Sequence, residues 1–280
     1  MGFKSIRTFT ALALLALGAS ATFAQEERTT ELSAASVGGY SRQIVIARPG
    51  SYRLRDDVRV RNGNGIVINA SNVTLDLGGN TISTDAAGTG SGILVDGETG
   101  VEVRNGKVGG FNVNLNIANS VNVRARNLQI TGRGLAPNNG PSEIGVLLLQ
   151  TRGAYIENNT ISSVNLGVFV RGAFSTGNRI FENVIVGGGN PANNLLGICY
   201  NPAAGAGSEG PRGDNIYNNH ITRFGYALAI SAGSIHNVFN ENVLASFNGG
   251  FREPGALTTG GGTNVSEGDI IVTIPATVLP

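Results

Sequence analysis

Gly65-Ile-Val-Ile-Asn-Ala-Ser-Asn-Val-Thr-Leu-Asp-Leu-Gly-Gly-Asn-Thr-Ile82 holds two short strand patterns, Ile66/Ile68 and Val73/Leu75/Leu77, and closes on Asn80-Thr-Ile82. Apolar residues alternating with polar ones over so few positions mark half-buried β-strands, because successive side chains point to opposite faces. The unit recurs down the chain. Aligned on its last apolar residue, it returns at Ile82, Val108, Ile130, Ile161, Ile185, Ile221 and Leu244. Five residues before each anchor stand Leu77, Val103, Ala125, Ile156, Ile180, Ile216 and Phe239, all apolar. Two residues before stand Asn80, Gly106, Leu128, Asn159, Asn183, Asn219 and Asn242. The anchors lie 26, 22, 31, 24, 36 and 23 residues apart, so a basic turn of 22 to 24 residues carries insertions.

A turn this short, made of strands with no helical period, fits an all-β solenoid in which each coil stacks on the next at roughly 4.8 Å. Stacking turns each repeated position into a ladder. An Asn ladder suits a bend, because an amide both donates and accepts and so satisfies its copies above and below. On these columns the chain resembles the single-stranded right-handed parallel β-helix superfamily typified by pectate lyases, in particular its carbohydrate-binding and sugar-hydrolase repeats. The resemblance covers about Ile44 to Leu244 and implies seven to eight coils. It also implies a polysaccharide ligand lying across the sheet formed by the first strand of each coil.

The N-terminus reads as an export signal over residues 1–24. Lys4 and Arg7 are its positive region, Ala11 to Leu17 its apolar core and Thr22-Phe-Ala24 its cleavage site. That run is too short to span a bilayer, and no later stretch is apolar enough to do so. The product is expected to be secreted or periplasmic, with 25–43 as an arm or cap, 44–244 as coils and 245–280 as a C-terminal cap. Without Lys4 and Arg7 the chain has 18 basic and 19 acidic residues, a balance that argues against a nucleic-acid partner. Forty-two glycines suit a fold made of tight turns. Cys199 is the single cysteine, so no internal disulfide is expected, and His220 and His236 are too few for a conventional metal cluster. No cofactor or metal is expected.

The first strands are Ile66/Ile68, Ile93/Val95, Leu115/Ile117, Val146/Leu148, Val168/Val170, Ile198/Tyr200 and Leu228/Ile230, with these residues inward. Insertions at 84–91, 131–143 and 186–196 then fall on one edge of the first-strand sheet and 201–213 on the other, flanking a cleft. Asp96, Asn116, Phe169 and Arg171 face outward there and are the candidate ligand-binding residues, with Glu98 and Arg152 just beyond the strands. Asp96 and Arg171 stand three coils apart, about 14 Å. That is too far for an acid/base couple but suited to holding one oligosaccharide.

A sugar hydrolase needs two carboxylates about 5 to 10 Å apart, and no such pair faces this sheet. A polyuronate lyase needs a base and positive charge near the carboxylate; Arg152 and Arg171 supply charge, without an acid cluster for calcium. No catalytic residue is assigned. On the second-strand columns, Glu102 is expected to pair with Arg124 and Arg126 with Glu157, as a solvated ladder worth under about 1 kcal/mol per pair. Two function classes follow: an exported polysaccharide-interacting protein, acting as lyase or hydrolase if it is an enzyme, and a non-catalytic scaffold or adhesin that binds a protein or a cell-surface glycan.

Overall fold

Nine short strands from Ile44–Ile46 to Phe251–Arg252 line up in one parallel sheet, each contributed by a successive coil. The remaining strands, two from most coils but one long strand each at Glu102–Gly109 and Arg124–Thr131, join a second, 17-stranded sheet, and the coil-to-coil pairings in both are parallel. The chain is therefore a parallel β-helix. The computed structural model describes residues 29–85, 90–134, 143–188, 195–201, 210–230, 233–246, 251–252 and 265–273. The expected export signal lies outside the described residues, as do much of the four insertions and parts of the expected C-terminal cap. One further coil precedes the aligned repeats and another follows them, with Ile270–Thr273 in register beside Val243–Ser246.

The core is one continuous column of stacked apolar rows. Ile66, Ile93, Leu115, Val146, Val168, Ile198 and Leu228 form one of its rows, all buried. Directly before them runs the row Gly65, Gly92, Asn114, Gly145, Gly167, Gly197 and Ala227, small at every level but Asn114. A Cβ on Gly167 would stand 2.5 Å from Ile185 Cγ2 and 2.3 Å from the Gly197 carbonyl oxygen. The anchor isoleucine of the same coil occupies the space a side chain would need.

Three rows sit at the bends. One is the interior Asn ladder: Asn159, Asn183, Asn219 and Asn242 each pass a backbone N–H and an Nδ2–H to the Oδ1 of the next coil at 2.8–3.1 Å. It ends on Asp269, where only an acceptor is needed. Beside it, Asn105, Asn127, Asn158, Glu182, Asn218 and Glu241 all take positive φ, a conformation that asparagine tolerates better than most residues. The third is a second interior ladder, Asn178–Asp214–Asn237, that continues the apolar row Val101, Val123 and Ala154. The sequence repeat did not disclose it.

One row of the sequence alignment shifts. Leu75, not Leu77, stands beside Val103, because the Gly78-Gly79 turn adds two residues to that coil. Leu77 moves instead into the bend, where its Cβ would lie 2.3 Å from a Cβ on Gly106. Leu77 thus fills the space beside Gly106, and Gly106 and Leu128 interrupt the amide row between Asn159 and Asn80, whose Nδ2 donates to Leu54 O and Leu77 O.

At the N-terminal end Thr30–Leu32 adds a strand beside Gly50–Leu54, and Leu32 and Ala34 pack on the core. The hairpin Ser36–Val37/Tyr40–Ser41 follows. It is tied down by Tyr40, whose hydroxyl donates to Asp85 at 3.0 Å, while Asp85 also binds Arg59.

Candidate ligand-binding face

The register places the four candidate residues on one face. Asn116, Leu147 and Phe169 stand in one outward row of the nine-stranded sheet, and Asp96, Ala118, Leu149 and Arg171 in the next. The structure therefore keeps Asp96 and Arg171 three strand spacings apart, about 14 Å. The rows are more apolar than a polar groove: Val67, Leu94, Leu147, Phe169 and Cys199 share the row of Asn116, and Cys199 is buried. Asn116 donates Nδ2–H to Ser91 Oγ at 3.2 Å, and its enclosed Oδ1 has no partner among the described residues.

Where the chain leaves this sheet, a cleft of about 370 Å³ opens, lined by Asn119, Val121, Gln150, Arg152 and Phe174. Asn119 and Gln150 follow Ala118 and Leu149 directly and take positive φ, 49° and 56°, which turns their amides out at the sheet edge. Asn119 Nδ2 donates to Asp96 Oδ1 at 2.8 Å, so the cleft adjoins a candidate residue. Gln150 lies flat on Gly172, where a Cβ would come within 2.6 Å of its Cδ, and its Oε1 accepts the Phe174 N–H at 3.0 Å. Phe174 is 56% exposed, with the Arg152 guanidinium 5.6 Å from its ring centroid. Of this cluster the sequence reading singled out Arg152 alone. The missed signal was the row Gly97, Asn119, Gln150, Gly172, one residue past each strand, where the backbone turns left-handed.

The other sheet carries the charge columns, and there the expected pairing is corrected. Arg126 binds Glu102 and Arg124 binds Glu157, diagonally rather than directly across the coils. Direct neighbours in a parallel ladder stand side by side, and the longer arginine reaches the next carboxylate along the strand. Arg104 bridges Asp76 at 3.1 Å and Glu102 at 3.5 Å. Burial pushes the Asp76 carboxyl up, but the Gly78 amide, Asn105 and Arg104 outweigh it and hold it below the usual range. Further along, Phe181 and Tyr217 stack at 4.8 Å with nearly parallel rings, and Arg179 lies over Tyr155. These rings face each other along the axis and stiffen the rod.

The swap changes one expectation. Glu157 is buried, so Arg124→Ala strands a carboxylate that water hardly reaches. The variant is expected to lose about 1–3 kcal/mol in urea unfolding, more than the surface pair first read from the sequence. A loss within error of zero would show that water replaces the guanidinium there.

Catalytic pairs are absent among the described residues of the nine-stranded sheet's outer face, where Asp96 is the one carboxylate. On the other sheet Glu102 and Glu157 are each tied to an arginine. The arrangement can bind; on the outer face of the nine-stranded sheet no acid and base stand poised together among the described residues.

A family model described as "Periplasmic copper-binding protein (NosD)" matches residues 77–264, about two thirds of the chain. No curated protein matches the chain. In fold the chain is similar to the crystal structure of Dettilon tailspike protein (gp208), at 12% identity and a TM-score of 0.46, over 86% of this chain and 51% of the tailspike. It thus spans about half the tailspike's length. The residues present do not fit a copper centre. Copper sites draw on thiolate, thioether and imidazole donors, and the whole chain has one cysteine, one methionine and two histidines. Cys199 is buried, His220 stands between Val184 and Val243, and His236 sits in a separate bend. Among the described residues no three His, Cys, Asp or Glu side chains come together.

Proposed function

We propose, for a chain that belongs to the NosD family, a role as a rigid periplasmic β-helix that binds polysaccharide without cleaving it. The ligand lies over the outer edge of the nine-stranded sheet, in the cleft of Phe174, Arg152, Gln150 and Asn119, and extends towards Asp96, Asn116, Phe169 and Arg171. The observation that carries this reading is the exposed Phe174 ring beside two side-chain amides and a guanidinium. A sugar presents an apolar C–H face ringed by hydroxyls, and a few fixed polar groups around an aromatic surface suit it. In this reading residues 1–24 are removed on export, and 25–43 and 245–280 close the two ends of the coils. No helix among the described residues is long and apolar enough to cross a membrane.

A glycan array on the purified protein, followed by titration calorimetry with the best oligosaccharide, tests the reading. Phe174→Ala is expected to weaken binding at least tenfold with an unchanged melting curve, and no reducing ends or unsaturated products accumulate. Turnover of the bound glycan would overturn the non-catalytic role, and binding indifferent to Phe174 would overturn the site. The apolar row Val67, Leu94, Leu147 and Phe169 favours a second reading, a scaffold for a protein partner. Protein that binds no glycan would leave that one standing.

A further inference from the structure

We propose that the N-terminal end of the rod docks on an anionic lipid surface through arginines that ring the first coil. Residues 40–61 carry Arg42, Arg48, Arg53, Arg55, Arg59 and Arg61 against Asp56 and Asp57. With Glu31 on the neighbouring strand counted, residues 29–61 carry six arginines against three acids and the rest of the chain 14 basic against 16 acidic residues, so a positive end sits on an otherwise negative molecule. All six arginines are exposed. Arg42 precedes the strand Ile44–Ile46 and Arg48 follows it; Arg53 lies on Gly50–Leu54 with Arg55 just beyond, and Arg59 on Val58–Val60 with Arg61 just beyond. They therefore occupy every side of one coil. A glycan running along the rod would call for charges in one column through many coils. Only the strand Thr30–Leu32 and the hairpin lie beyond this coil, so a ring there instead addresses a plane lying across the rod's end.

Four of these charges are uncommitted. Arg55 binds Glu31 and Arg59 binds Asp85, whereas Arg42, Arg48, Arg53 and Arg61 form no ion pair among the described residues. Asp57 is occupied by the Thr81 N–H. The same end exposes apolar groups. Val37, 72% exposed, stands at the hairpin tip before Gly38 and Gly39, and Val45 on the first strand is half exposed. Between ring and tip lies Tyr40, with Arg61 4.6 Å and Arg59 5.3 Å from its ring centroid. Guanidinium groups bind phosphate oxygens in pairs, and valine and tyrosine beside them suit the boundary between headgroups and acyl chains.

Co-sedimentation of the purified protein with phosphatidylcholine vesicles, with and without phosphatidylglycerol, tests this, with inorganic polyphosphate as soluble competitor. Binding is expected only with phosphatidylglycerol and is released by half-molar salt. Replacing Arg42, Arg48 and Arg53 together by Ala should weaken it roughly a hundredfold, about fivefold for each arginine. Replacing the same three by Lys should retain most of it, and Arg179→Ala none of the loss. Three results would overturn the proposal: equal binding to neutral vesicles, no binding at low salt, or wild-type sedimentation of the Ala variant. Polyphosphate bound by protein that passes over the vesicles would overturn it too, assigning the ring to a soluble polyanion. A melting curve on each variant separates lost docking from lost fold.

Discussion

Asn183→Leu is expected to lower the melting temperature by about 10 °C and to cost roughly 3–5 kcal/mol, the largest loss predicted for a single side chain of this protein. Its Oδ1 accepts the N–H and Nδ2–H of Asn159, and its Nδ2 donates to Ile156 O, Phe181 O and Asn219 Oδ1 at 2.8–3.0 Å. The residue is buried, so water cannot take over these bonds when the amide is removed. Leucine is accepted naturally in the same row at Leu128, and the difference is informative. Leu128 stands beside Gly106, whose missing side chain Leu77 fills, and its own N–H still donates to Asn159 Oδ1. Asn183 has amides on both sides. Thermal unfolding followed by circular dichroism decides the matter: a variant that melts with the wild type, or after Arg124→Ala, would mean the ladder organises the bend without stabilising it.

The second large effect has the opposite sign. Asp214→Asn is expected to raise the melting temperature at pH 7.5 and to leave it nearly unchanged at pH 4. Asp214 occupies an interior ladder position where its neighbours Asn178 and Asn237 are amides. Burial pushes its carboxyl up to about 6, against partial relief from the Asn178 backbone and side-chain N–H groups and the Tyr200 hydroxyl. Tyr200 itself is enclosed, forms no well-aligned hydrogen bond among the described residues, and is pushed well above its usual value by burial and by Asp214. An acid that titrates higher in the folded than in the unfolded chain weakens the fold as pH rises from about 4 to about 6, and no further above that. The penalty at neutral pH is about 2–3 kcal/mol. An Asn there carries no charge and restores a donor for the next level of the ladder. Wild-type stability that does not fall between pH 4 and pH 6.5, or a variant no more stable at pH 7.5, would show that the carboxylate is solvated or paired in another way.

Export signal, family and ligand class aside, the architecture was written in the chain itself. A repeat of 22 to 24 residues with apolar positions in two columns leaves few ways to bury those residues other than stacking coils. The Asn column likewise announced a hydrogen-bonded ladder, since a buried amide every turn is otherwise unsatisfied. The outward placement of Asp96, Asn116, Phe169 and Arg171 followed from the two-residue strand period alone. Tertiary structure alone decided the rest. Which arginine meets which carboxylate depended on side-chain reach along the strand, so Arg124 found Glu157 and Arg126 found Glu102. The shift from Leu77 to Leu75 depended on how many residues the Gly78-Gly79 turn absorbs. Asp214 acquired its raised carboxyl only by being enclosed beside Tyr200 and Asn178. The Phe174 cleft and the arginine ring arise from residues brought to one sheet edge or one coil by the winding. Those residues share no periodic column that a linear pattern reveals.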